Sequence, residues 1–131
     1  MQASVMPIVS VKSVDDTRNF YVDKLGFDHL MAVVGNDGLL EFCTVLREGG
    51  RLMFNRATTE QSGMPATQFY FQVSDVGAYR DELVSSGLNP SPLEDMWWGD
   101  RVTIVEDNNN LKLWFYQQVG EVKPPEGMKI V

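Results

Sequence analysis

Residues 67–117 read TQFYFQVSDVGAYRDELVSSGLNPSPLEDMWWGDRVTIVEDNNNLKLWFYQ, and the reading of this stretch decides the fold. An apolar run at 69–73 meets Ser74-Asp75, a pair suited to capping a helix that begins near Val76. Val76, Tyr79, Leu83 and Val84 recur at helical spacing, and Gly87 supplies a left-handed stop. A proline-containing link leads to Trp97-Trp98-Gly99-Asp100. Two β-type runs follow, at 102–105 and 111–116, joined by the turn Glu106-Asp107-Asn108-Asn109-Asn110. The order is strand, helix, then strands in hairpin sequence.

Working outward, the first half of the chain repeats this unit. Val11-Lys12-Ser13-Val14-Asp15 aligns with Val73-Ser74-Asp75-Val76, with Val11 against Val73 and Val14 against Val76. Leu25-Gly26 ends the first helix as Ser86-Gly87 ends the second, and residues 44–54 lie over 103–113 without a gap. The expectation is an α+β domain of two βαβββ modules: module 1 at about 4–55, a linker at 56–66 and module 2 at about 67–118. The tail at 119–131, with Gly120, Pro124, Pro125 and Gly127, reads as irregular.

Within the first module, residues 4–13 read as a strand broken by Pro7, which cannot donate to a ladder and so belongs at an edge or where the strand crosses between subunits. A helix follows at 14–25, with Ser13 or Asp15 as its cap and Phe20-Tyr21 on its buried face. Strands at 27–34 and 39–46 flank the turn Gly35-Asn36-Asp37-Gly38, and Glu48-Gly49-Gly50 leads into a strand at 51–55.

Composition limits the function classes. The 131 residues are 44% hydrophobic, enough for one domain core, and 11 basic against 18 acidic residues give a net charge of −7. A nucleic-acid partner would need a basic face, so that class is set aside. A single cysteine, Cys43, excludes an internal disulfide framework and fits a reducing cytoplasm. No apolar run reaches membrane-spanning length, and no signal peptide is read at the N-terminus.

The ordered set of motifs resembles the vicinal oxygen chelate superfamily, which contains the glyoxalases, bleomycin-resistance proteins and extradiol dioxygenases. The residues carrying it are Ile8-Val9-Ser10-Val11, Val14-Asp15 and Phe20-Tyr21-Val22-Asp23-Lys24-Leu25-Gly26-Phe27 in the first half. In the second they are Val73-Ser74-Asp75-Val76, Trp98-Gly99-Asp100-Arg101 and Glu106-Asp107 through Asn110-Leu111, where the family's usual Asp-Pro-Asp-Gly-Asn has become Asp-Asn-Asn-Asn. The resemblance spans roughly residues 4–118 and is nearest the bleomycin-resistance type. It implies paired modules whose curved mixed sheet encloses a cleft, in a homodimer. It implies no single activity.

Enzymes of the superfamily hold a divalent metal with His or Gln on a module's first strand and Glu on its last. Those positions map here to Met6 and Gln68, and to Phe54 and Leu113. Three of the four lack the oxygen or imidazole donors such an ion needs, so no metal and no other cofactor is expected. His29, the single histidine, stands alone on a strand, and Cys43 has no sequence-local base; no catalytic residue is assigned. Asp15-Asp16 fit a helix start, and Glu94-Asp95 a solvated loop.

What remains is aromatic. With Leu113 at a cleft position, alternation places Phe115 cleftward and Trp114 and Tyr116 under the helices. Leu52 and Phe54 are placed cleftward likewise, with Gln68 and Tyr70 beside them. A pocket of Met6, Phe54, Gln68, Tyr70, Leu113 and Phe115 is expected, overhung by Trp97 and Trp98, with Trp98 the ligand contact and Trp97 packed in an interface. The function expected is metal-independent sequestration of a planar small molecule, neutral or cationic, such as an antibiotic. The alternatives are a glyoxalase-like lyase or isomerase or a dioxygenase-related enzyme, and a structural or regulatory module with a closed cleft.

Overall fold

The two halves build their units from the same local signals. In the computed structural model, which describes residues 6–57, 68–128 and 130, β1 (Ile8–Val11) leads into α1 (Val14–Asn19). The Ser13 hydroxyl caps α1 by accepting from the Asp16 amide at 3.1 Å. Asp15, the other expected cap, instead accepts from the Leu40 amide at 2.9 Å. Beyond Asn19 the helix widens into a π-helical stretch, Phe20–Lys24, and Gly26 follows at φ 74°. In the second half Asp75 caps α2 (Val76–Ser85) through the Ala78 amide, and Gly87 takes the same left-handed conformation at φ 87°.

The described residues fall into two compact units, one of residues 6–57 together with Asp107–Leu111, the other of Gln68–Glu106 together with residues 112–128. The first contains β2 (Asp28–Val34), β3 (Leu40–Arg47) and β4 (Gly50–Arg56) in a four-stranded sheet of order β1-β4-β3-β2. β1 runs parallel to β4 at the sheet's edge, where Pro7 demands it. The second contains β5 (Gln68–Gln72), β6 (Glu94–Asp95), β7 (Asp100–Glu106) and β8 (Lys112–Gln118) in the equivalent order β5-β8-β7-β6. The linker expected at 56–66 lies, from residue 58 on, outside the described residues; Arg56 is still strand.

Each sheet buries one face under its helix. In the first unit Leu52 and Phe54 are buried, and the Tyr21 ring tilts against Phe54 at 4.9 Å. In the second, Tyr79 of α2 meets Phe115 edge-on at 4.6 Å, and Phe71 stacks on Phe115 at 5.5 Å. This corrects the faces expected from sequence. Phe54, Leu113 and Phe115 are all 0% exposed and form the core beneath the helices, whereas Trp114 and Tyr116 alternate to the opposite face. The physical reason is that Phe54, Leu113 and Phe115 have no polar atom to satisfy and lose the most water under the helices, whereas the Trp114 indole N–H and the Tyr116 hydroxyl favour the face that offers partners or water.

Candidate functional site

The helix-free face of the second sheet is built from three strands. β5 and β8 pair parallel in register, Gln68 with Lys112, Tyr70 with Trp114 and Gln72 with Tyr116, so these side chains share one face. β7 adds Asp100, which is paired with Gln118 of β8. The Tyr70 ring stacks on Tyr116 at 4.3 Å with 19° between planes and leans on Trp114 at 6.0 Å. The Trp114 indole N–H donates to Gln68 Oε1 at 2.5 Å.

Trp97 and Trp98 sit at the tip of the β6–β7 hairpin. The Gly99 amide donates to the Met96 carbonyl and the Met96 amide to the Asp100 carbonyl, leaving a three-residue loop whose third member, Gly99, has φ 97°. A left-handed third residue is what this loop length requires, and glycine supplies it without strain. β6 itself, two acidic residues with no apolar alternation, carries no strand signal in the sequence. Arg101 pins it, donating from Nε to Asp95 Oδ1 at 2.6 Å and holding the Asp95 carboxyl below its usual range. The loop then bends onto the sheet: the Trp98 indole N–H donates to the Tyr70 hydroxyl at 2.8 Å, and that hydroxyl donates to Asp100 Oδ2 at 2.7 Å. Trp97 stands perpendicular to Trp98 at 5.4 Å.

The Tyr70 phenol is pushed up to about 12, by partial loss of water and by the Asp100 carboxylate, against the Trp98 donor. It therefore stays protonated and keeps both of its hydrogen bonds at neutral pH. Two indole N–H groups and the phenol are engaged within the protein, yet Tyr70 is still 44% exposed. The chemistry offered is ring surface, bordered by the Asp100 carboxylate and the Gln68 amide.

The eight residues expected to form the site are thus divided. Gln68, Tyr70, Trp97 and Trp98 are in the second unit, with Gln68, Tyr70 and Trp98 joined by the contacts above. Leu113 and Phe115 are in that unit but on its helix side. Phe54 is core of the first unit, and Met6, exposed, precedes β1. Sequence reasoning missed Asp100, Trp114 and Tyr116 as members of the surface. The signal lay in the alternation Gln68-Phe69-Tyr70-Phe71-Gln72 and Lys112-Leu113-Trp114-Phe115-Tyr116, where glutamine and lysine mark the face turned from the core.

The residues do not fit the divalent metal that the resemblance brings with it. The helix-free positions of the last strands hold Met53 and Asn55 in the first unit and Trp114 and Tyr116 in the second. On the first strands they hold Ile8, Ser10, Gln68 and Tyr70, a set without carboxylate or imidazole. Among the described residues no group of three or more His, Cys, Asp and Glu converges. Cys43 is buried and its thiol pushed up to about 11 by that burial, which leaves it unreactive.

The chain belongs to the glyoxalase/bleomycin resistance protein/dioxygenase superfamily, whose family model matches residues 3–115. Among solved structures it is similar to TioX from Micromonospora sp. ML1, at 22% identity and a TM-score of 0.74, covering 89% of this chain and 100% of that one. It is similar also to TnmS3, an antibiotic binding protein from Streptomyces sp. CB03234, at 21% identity and a TM-score of 0.68, covering 90% and 98% of the two chains. A bleomycin-binding protein complexed with bleomycin matches at 17% identity and a TM-score of 0.68, covering 88% and 98%. No curated protein matches the chain.

Proposed function

We propose that this protein is a metal-independent binder of a flat small molecule, of the bleomycin-resistance type, which sequesters a neutral or cationic compound such as an antibiotic. One observation carries the reading: Tyr70 bridges Trp98 and Asp100 through its hydroxyl while stacked on Tyr116, so the surface presents π faces beside a carboxylate. Stacking on such a ring contributes on the order of 0.5–2 kcal/mol, more when the ligand is cationic and desolvated. The net charge of −7 adds long-range attraction for a cation. The solved neighbours that bind antibiotics support the class, and binding of this kind needs neither metal nor base.

Titration with proflavine, a flat monocation, tests the reading through tryptophan fluorescence. Trp98→Ala should weaken binding about tenfold with the fold intact, and Trp97→Ala less. Absence of binding to the wild type, or equal binding by all three proteins, would sink the proposal. A cytoplasmic homodimer belongs to the same reading, its N-terminal arm exchanged where Pro7 breaks the first strand. A concentration-independent monomer in sedimentation would remove that part.

A further inference from the structure

The tail that follows β8 is in contact with the tip of the β6–β7 hairpin. The Gly99 carbonyl accepts from two successive tail amides, Val119 at 2.9 Å and Gly120 at 3.0 Å. Three residues on, the Lys123 amide donates to the Trp97 carbonyl at 2.7 Å. The approach is close enough to restrict the sequence: a β-carbon at Gly99 would stand 2.5 Å from the Gly120 carbonyl oxygen. Three backbone hydrogen bonds therefore tie residues 119–123 to the loop that carries both indoles. The Val119 bond continues the β7–β8 register one step past its last pair, Asp100 with Gln118, whereas the Gly120 and Lys123 bonds depart from that register.

We propose that residues 119–123 are a positioning strap that holds Trp98 over Tyr70 and so sets the geometry of the aromatic surface. Its bearing on ligand affinity rests on the binding reading given above; its action on Trp98 does not. The loop is short, with Trp97 and Trp98 half-buried and Gly99 buried. Without the strap its attachments are the turn bond between Gly99 and Met96, the closing pair between Met96 and Asp100, and the single indole bond to Tyr70. Lys123 lies at the far end, so its amide fixes the loop's outer side while Val119 and Gly120 fix the inner. The side chain of Lys123 has no part in this; its backbone N–H does.

Two variants of the full chain separate backbone from side chain. Lys123→Pro deletes the N–H that reaches Trp97, and Lys123→Ala keeps it. Hydrogen exchange of the three indole N–H groups by nitrogen-15 NMR gives the readout, with Trp114, held by Gln68, as internal reference. Lys123→Pro should speed exchange at Trp98 by roughly fivefold, the equivalent of one net hydrogen bond, leaving exchange at Trp114 unchanged and lowering the melting temperature by no more than a few degrees. Lys123→Ala should match the wild type. Wild-type exchange at Trp98 in Lys123→Pro, or equal acceleration in both variants, would overturn the strap. Proflavine titration of the same proteins should show weaker binding only for Lys123→Pro. Failure of proflavine to bind any of them would remove the binding reading and leave the exchange result to decide the strap alone.

Discussion

The two sheets share strand order, parallel first pair and helix position, and they agree closely on their helix sides. Phe54 and Phe115 are both fully buried, each met by a tyrosine from its own helical segment, Tyr21 at 4.9 Å and Tyr79 at 4.6 Å. Their other faces differ. The first carries Ile8 and Met53 beside Phe42 of β3, with a hydrogen bond from the Ser10 hydroxyl to Asn55. The second carries Tyr70, Trp114 and Tyr116, hydrogen-bonded to Gln68, Trp98 and Asp100. The core side is constrained by burial and varies little between repeats; the opposite side is where one repeat has acquired a specialised surface.

The largest test of this comparison falls on the core side. Phe54→Ala and Phe115→Ala should each cost about 3–5 kcal/mol, because each empties a site packed under a helix. Chemical denaturation measures both. If Phe115→Ala were stable and merely lost ligand, the faces of β8 would be the other way round.

That reversal shows what the sequence could and could not disclose. Helix caps at Ser13 and Asp75, the left-handed stops at Gly26 and Gly87 and the turn at 35–38 were all legible, because each is a local signal. So was the family, from motif order across both halves. Alternation correctly separated Leu113 and Phe115 from Trp114 and Tyr116, but a period of two cannot say which set is core. That choice rests on the mapped metal positions, of which Phe54 and Leu113 lie a residue away from the helix-free face while Gln68 lies on it. The widening of the first helix at Phe20–Lys24 and the two-residue β6 have no periodic signature. Asp100 joins Tyr70 across 30 positions, a pairing visible only once β5 and β7 lie in one sheet.

The hairpin glycines sharpen the contrast at intermediate cost. Gly38, between β2 and β3, has φ 83° with nothing within 4 Å of an added β-carbon. Gly38→Ala should therefore cost about 1 kcal/mol, the backbone strain alone. Gly99→Ala meets the same strain and displaces the Gly120 backbone, so about 2–3 kcal/mol is expected, with loss of the Trp98 indole protection. Equal losses would mean that the tail yields freely.

The turn between β7 and β8 groups with the first unit, and it adds a pH-dependent term there. Asp107 Oδ1 accepts from the Asn109 amide at 2.7 Å and the Leu111 amide at 2.9 Å, while Oδ2 accepts from the buried Tyr21 hydroxyl at 2.7 Å. Burial nevertheless raises its carboxyl above the ordinary 3.8, outweighing the donors from Tyr21, Leu111 and Asn109. A raised native value means that the folded state binds the proton more tightly. This group's contribution is full below 3.8 and is lost as pH rises through the native value. Asp107→Asn keeps an oxygen for the two amides and has no charge to bury. Relative to wild type it should gain stability as pH rises from 3.8 through the native value of Asp107 and hold that gain up to pH 7. Urea midpoints across that range test it, and a constant offset would show that Asp107 titrates normally.

The smallest effect is expected three residues further on. Asn110 sits at φ 63°, and the corresponding β3–β4 hairpin of the first unit has Glu48 at φ 53° in a tighter turn. Asparagine tolerates the left-handed region better than other non-glycine residues, and Asn110 is exposed, its amide donating to the Asp107 carbonyl at 3.1 Å. Alanine keeps that backbone bond but not the tolerance, so Asn110→Ala should cost about 1 kcal/mol. Asn110→Gly removes the strain yet frees the unfolded chain, two effects of opposite sign, and a net gain of no more than about 0.5 kcal/mol should remain. Both follow from backbone conformation alone, so neither should alter the exchange of the Trp98 indole in the other unit. A neutral Asn110→Ala would mean that the turn relaxes out of the left-handed conformation at no cost, and that asparagine was not needed there.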